Sequence, residues 1–290
     1  MDVSNDIAEF LVTRRAKVTP EQVGMHSDGP RRVQGLRREE VASLAGVSVE
    51  YYRRLERGKA SGASDGVLEA LARALQLDDA ERAHLFDLAR AANSSPAARR
   101  RKSSHRVRPA VARLMDSIGG PAILYTRRLD FLAANQQGRA LFAPVFESRE
   151  QPANSIRFAF LDPAAPQFFP DWEQMAIDLV GHLRSEVGRN PYDRDLSDLV
   201  GELSARSREF AAWWAAHDVR FHRTGAKRFH HPVVGEMELD YEVLQVAADD
   251  GQLIAIYSAE PASPSGQALD LLGSWAAPPQ PILIPQQQEH

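Results

Sequence analysis

The chain has 290 residues, of which 43% are hydrophobic and 26% charged, with a formal net charge of −4. That length suggests two domains of ordinary size, and the charge excludes a protein that attracts polyanions with its whole surface. The absence of cysteine removes disulfides, thiolate metal sites and thiol nucleophiles together. No apolar run approaches the ~20 residues of a membrane span, and "MDVSNDIAEF" lacks the basic-then-apolar layout of a secretion signal, so a cytoplasmic protein with no membrane partner is expected.

In chain order, residues 6–17 place Ile7, Phe10 and Leu11 at helical spacing behind a capping Asp6. Two prolines and three glycines in 18–35 read as a loop. Residues 36–45 are helical with Leu36, Val41, Leu44 and Ala45 inward, and Gly46 ends them. A further helix covers 48–57. Residues 65–75 and 78–92 complete five helices, the last opened by an Asp78–Glu81 capping box. The fold class expected for 1–95 is therefore an all-α five-helix domain. Residues 96–109 are rich in serine, proline and arginine and read as a basic linker, either an arm that touches phosphate or a solvated tether.

Beyond the linker the pattern changes. A short helix is expected at 111–118, two strands within 122–135, and a helix from Asn135 to Phe142. Helices fill 154–217 around the breaks "DPAAP" and "RNPYDRD". Strands return in "KRFHH", "EMELDYEVLQV" and "QLIAIYSAE". In the middle one, Met237, Leu239, Tyr241, Val243 and Val246 nearly alternate, so one face is buried. "PSGQALDLLGSW" closes with a helix, and the tail 277–290 is expected to be disordered. Two strands, helices, then three strands closing one antiparallel sheet make 110–276 an α+β domain.

The most informative stretch is "AGVSVEYYRRLERG", 45–58. Gly46 can take the positive φ of a sharp helix–helix turn, and Ser48 can cap the next helix. Val47 can pack on Tyr52 as a hydrophobic staple. Tyr52 and Leu55 then face inward, while Glu50, Arg53, Arg54 and Arg57 cluster on the opposite face at about 100° per residue. The span 31–59 carries 8 basic against 4 acidic residues, a local patch whose pull on phosphate acts over about 10 Å. A helix, a short turn and a second helix with a cationic outer face suit a DNA major groove.

"LRREEVASLAGVSVEYYRRLERGK" resembles the helix-turn-helix of XRE/Cro-type bacterial regulators, over residues 6–92 apart from the long loop at 18–35. The resemblance implies double-stranded DNA as partner. It places Arg38 on phosphate, where the family more often has glutamine, and makes Ser48, Val49, Glu50, Tyr51, Arg53 and Arg54 the base-reading face. Arginine can bond guanine O6 and N7, glutamate can accept from cytosine, and valine can touch a thymine methyl. Arg57 and Lys59 suit phosphates, and Arg37, with Arg31 and Arg32, is a further backbone contact or part of a solvated loop. Glu56 is expected to pair with Arg15. Tyr52 is core, and Tyr51 is either packing or a phosphate contact.

The second half resembles an MmyB-like ligand-binding domain in "FLAAN", "FLDPAAPQFFPDWE", "RDLSDLVGELSARSREFAAWWAAHDVR", "KRFHHPVVGEMELDYEVL" and "YSAEPASPS". This resemblance implies a PAS-like sheet with added helices around an apolar cavity for a small, fatty-acid-like ligand; a homodimer formed through this half is a separate expectation. Candidate residues for its polar end are Asn135, Arg157, His217 and Arg220 with Tyr241; candidates for its walls are Phe158, Phe160, Trp172, Trp214 and Tyr257. Taken singly, each aromatic reads more readily as core packing, and His217 as a core or capping histidine. The alternative for this half is dimerisation or recruitment of a protein, without ligand. Catalysis is not expected. His217 and His222 are five apart with no glutamate between them, unlike a zinc-protease helix; "FHH" in a strand points its histidines to opposite faces; and no Gly-x-Ser-x-Gly, P-loop or dinucleotide glycine pattern occurs. No cofactor or metal is called for.

Overall fold

The structure is a computed structural model that describes residues 3–25, 33, 35–93, 106–216, 224–249 and 251–276. His217, Arg220, Arg31, Arg32, most of the basic linker and the tail from 277 lie outside the described residues.

The N-terminal half is built from α1 (Val3–Lys17), α2 (Arg38–Leu44), α3 (Val49–Glu56), α4 (Asp65–Ala74) and α5 (Asp79–Asn93), with a 3-10 turn at Glu21–Val23 among the described residues of the 18–35 loop. The starts of α2, α3 and α5 follow from side chains. The Arg37 amide donates to Glu40 Oε2 at 2.6 Å, Ser48 Oγ accepts from the Tyr51 amide at 3.1 Å, and Asp78 and Glu81 exchange bonds at 2.8 and 3.1 Å. These satisfy amides that an α-helix leaves without partners. Between α2 and α3, Gly46 holds φ at +65°, a conformation L side chains rarely adopt.

Ile7, Phe10, Leu11, Leu36, Val41, Tyr52, Leu55, Leu68, Leu71, Leu75, Leu85 and Leu88 form one continuous core. Leu44, expected inward, is exposed. Val41, Ala42 and Ala45 define the buried face of α2, and Leu44 lies roughly 110° round from its centre at 100° per residue.

The second half runs α6 (Pro109–Asp116), β1 (Ala122–Thr126), β2 (Phe131–Ala134), α7 (Gln136–Leu141), α8 (Ala143–Glu147), α9 (Ser155–Leu161), α10 (Ala165–Phe168), α11 (Trp172–Arg189), α12 (Arg194–Arg206), α13 (Arg208–Ala215), β3 (Thr224–His231), β4 (Gly235–Gln245), β5 (Gln252–Ser258) and α14 (Pro264–Ala276). The strands make one antiparallel sheet in the order β2-β1-β5-β4-β3, the PAS-like α+β arrangement expected.

Register decides what shares a face. Ile123 and Val243 both pair with Ala255, Tyr125 and Gln245 with Leu253, and Tyr241 with Tyr257 and Gly225. With a side-chain period of two, these odd-numbered positions all project to one side. On the other side α6 packs Val111 and Met115 against Ala122, Leu124 and Ile254, so β1 is buried throughout.

Candidate functional site

The outer face of α3 is the first candidate. Ser48, Glu50, Arg53, Arg54, Arg57 and Lys59 are exposed, Val49 and Tyr51 partly buried, and Tyr52, Leu55 and Glu56 buried. The guanidinium of Arg54 lies over the Tyr51 ring at 4.7 Å, a cation–π contact that holds it beside the helix. Glu50 sits within 3.9 Å of both Arg53 and Arg57, and Glu39 of α2 within 3.5 Å of Arg53. Exposed pairs at such distances are worth little, so both arginines are available to a stronger anion.

Glu56 is the buried anchor behind this face. It accepts from Arg15 Nε at 2.6 Å, the ion pair expected from the sequence, and also from Arg38 Nε. The Glu56 bond and charge raise the Arg38 pKa further above its ordinary value. Arg38, expected on phosphate, is thus held by α3 while its side chain remains 47% exposed. Sequence spacing alone does not show this capture, because it depends on how α2 lies across α3. Arg37 is exposed at the start of α2.

The second candidate is a cavity of about 480 Å³ between the sheet and α11. Ile123, Tyr125, Tyr241, Val243, Leu253, Ala255 and Tyr257 form its floor, the odd-numbered positions that register puts on one face. Gln174, Met175, Asp178, Leu179, His182, Glu186 and Arg189 form its roof, with the three- and four-residue steps of one helix face. The cavity also accounts for the burial of β4. Met237 and Leu239 are fully buried, whereas Tyr241 and Val243, on the same face, are only partly so.

Charge is concentrated at two ends. At the β3 end, Arg228 Nε donates to Asp171 at 2.6 Å, and Lys227 lies 5.6 Å from the rings of Phe169 and Tyr241. Burial pushes the Lys227 ammonium down to about 8, opposed in part by Asp178. At the β1 end, His182 Nε2 donates to the Arg127 carbonyl at 2.8 Å. There Glu186 takes Arg189 at 2.6 Å and Arg127 at 3.8 Å.

Of the ten ligand-contact candidates, Tyr241 and Tyr257 line this cavity. The others the structure describes do not, because each is spent on the fold. Asn135 is a buried clamp: its Oδ1 accepts from the Gly138 and Ala122 amides and its Nδ2 donates to the Gly120 carbonyl. Arg157 is bound to Glu202 at 2.9 Å. Phe158 packs edge-on to Phe168 and Phe169. Trp172 donates to the Ala159 carbonyl at 2.7 Å and, with Phe160, joins Trp213 away from the cavity. Trp214 stacks on Phe210. Sequence reading missed Glu186, Arg189, His182 and Lys227. In "GHLRSEVGR" Gly188 marks the approach of α11 to α5 and not the cavity, for which the sequence held no local signal. A Cβ there would lie 2.5 Å from the His84 ring of α5.

Among the described residues no three His, Asp or Glu side chains converge as a metal site requires. His230 is exposed while His231 is buried against the Ala140 carbonyl, on opposite faces of β3. No helix among them is long and apolar enough to cross a membrane.

A cationic helix-turn-helix joined to a sheet with a roofed cavity defines a DNA-binding transcription regulator carrying a ligand-binding domain. Residues 7–85 match a helix-turn-helix domain, and residues 107–272 match the MmyB-like transcription regulator ligand binding domain. The chain belongs to the family of MmyB-like transcription regulators. No curated protein matches it.

Proposed function

We propose that the chain is a cytoplasmic, dimeric, non-catalytic regulator that binds operator DNA through α3, under the control of a small apolar, fatty-acid-like molecule held in the cavity. Residues 1–95 are the DNA-binding unit and 110–276 the ligand-binding unit, joined by 96–109. Ser48, Val49, Glu50, Tyr51, Arg53 and Arg54 face the bases; Arg37, Arg38, Arg57 and Lys59 face phosphates. The observation that carries the reading is the coexistence of an exposed arginine face on α3 with a cavity of about 480 Å³, within the range of small-molecule sites. A second half serving only dimerisation or protein recruitment would call for a filled core instead.

Arg53→Ala is expected to weaken binding to a selected operator by roughly 1–3 kcal/mol, with a smaller loss on random DNA. Equal loss on both in a gel-shift titration would make Arg53 a phosphate contact. An organic extract of the purified full chain, analysed by mass spectrometry, is expected to contain an acyl-chain molecule. An empty extract, with no rise in melting temperature on adding octanoate, octan-1-ol or octylamine, counts against the ligand.

A further inference from the structure

Among the described residues, the lysine and arginine side chains that line the cavity are Arg127, Arg189, Lys227 and Arg228. The three arginines already meet a carboxylate. Arg189 and Arg127 lie 2.6 and 3.8 Å from Glu186, and Arg228 is bound to Asp171 at 2.6 Å. Lys227 is the exception. Among the described residues its ammonium makes no hydrogen bond and no ion pair. Asp178 of the roof acts on it only from beyond ion-pair distance, and accepts from Gln174 Nε2 at 2.9 Å.

That ammonium faces the cavity. Lys227 pairs with Leu239, and Gly225, two residues before it, pairs with Tyr241. Lys227 therefore projects from β3 to the side on which Tyr241 forms the floor. Its Nζ lies 5.6 Å from the ring centres of both Phe169 and Tyr241, two residues of the cavity lining. Lys227 is half-buried, and its Nζ is not among the polar atoms sealed off by protein.

Ring faces replace part of the hydration an ammonium loses, but its three donors still call for acceptors. A cation drawn out of water without a counter-charge is costly, and the group that relieves it is an anion with oxygen acceptors. Asp171 and Asp178 stand at the same end, which favours a single negative charge over the nearly double charge of a phosphate. From Lys227 the floor runs through Tyr241, Tyr257 and Ala255 to Ile123. It crosses the three strand steps from β3 to β1, about 14 Å at 4.8 Å each, which suits a chain of several methylenes.

Resting on the reading that the cavity holds a fatty-acid-like molecule, we propose that Lys227 is its head-group anchor: the ammonium takes the ligand's carboxylate at the β3 end, and the acyl chain lies across the floor toward β1. The carboxylate supplies the acceptors and the counter-charge that the fold withholds from Lys227. The reverse orientation would set it beside Glu186, where both lining arginines are already engaged.

The test is a head-group series of one chain length on the full chain at pH 7: octanoate, octylamine and, as the neutral reference, octan-1-ol, with dissociation constants from calorimetry. At that pH an ammonium lowered to about 8 is still mostly charged. The wild type is expected to bind octanoate tighter than octylamine, whose charge repeats that of Lys227. Lys227→Met keeps an unbranched side chain and removes the charge. It is expected to weaken octanoate at least about tenfold, the worth of a hydrogen bond to a charged partner, and to leave octan-1-ol little changed. Octylamine binding as tightly as octanoate in the wild type overturns the proposal, a comparison that does not depend on the folding of any variant. Octanoate affinity that survives in Lys227→Met overturns it too, as does a loss that extends equally to octan-1-ol, which would make Lys227 part of the wall. Three alike affinities in the wild type would leave the cavity reading standing and remove the anchor. No binding of any probe would remove both.

Discussion

Glu56→Ala is expected to lower the stability of the N-terminal helices by about 3 kcal/mol, the low end of what removing one partner of a buried ion pair costs. The low end applies because the two arginines it leaves behind differ. Arg38, half exposed, can turn to solvent. Arg15 is 13% exposed and keeps one bond, from Nη1 to the Leu36 carbonyl at 2.9 Å, but loses its counter-charge. Arg38→Ala should therefore cost less than about 1 kcal/mol, as for exposed pairs. All four tryptophans, at 172, 213, 214 and 275, lie in the second half, which makes the measurement selective. Helices of both halves contribute to the ellipticity, so it should show an early phase shifted down by more than about 10 °C for a unit this size, while the tryptophan fluorescence transition moves little. Coincident shifts in both would mean the two halves unfold as one. Operator affinity should fall with stability, because Glu56 ties α1 and α2 to the back of α3.

Phe229→Ala should have a comparable effect on the other half, with the opposite spectroscopic signature. Phe229 is fully buried, and its ring meets those of Phe142, Phe168, Phe169 and Tyr257 at 5.6–5.9 Å. Truncation of such a side chain costs about 3–5 kcal/mol through lost transfer energy and an unfilled void. Three of the four neighbours, Phe142, Phe169 and Tyr257, also line the cavity, so the new void adjoins it. The tryptophan transition should fall sharply in urea or heat, and dodecan-1-ol should restore more of the lost melting temperature in this variant than it adds to the wild type. A loss below about 1 kcal/mol would show that the aromatic cluster closes over the gap.

Much of the N-terminal half was legible because its rules are local. A glycine at a positive φ and a serine cap act within one turn of chain, and Val47 beside them packs against the core that contains Tyr52. The strands were legible for the same reason: alternation in 237–243 is a property of consecutive residues. Leu44 shows the limit, since its face depends on where α2 starts and on what lies across it. Arg38 shows it again. Its residue type and position suit a phosphate contact, yet Glu56, eighteen residues on, holds one side of its guanidinium.

The cavity was not legible. Its floor combines β1 with β4 and β5, more than a hundred residues further along the chain, and its roof is a helix whose sequence reads as an ordinary amphipathic segment. Asn135, Arg157, Phe158, Phe160, Trp172 and Trp214 had suitable chemistry for a pocket, and the fold used them to close its core. A void is defined by which surfaces fail to meet, which is a relation between distant elements that no local pattern encodes. The sequence by itself determined an α-helical unit with a cationic helix turned outward and a single antiparallel sheet, because helix caps and strand alternation act between near neighbours. Only the tertiary structure decided that α11 roofs the sheet, that Glu186 is buried beneath it, and that Arg189 reaches from the cavity to α5, because each depends on packing between segments far apart in the chain.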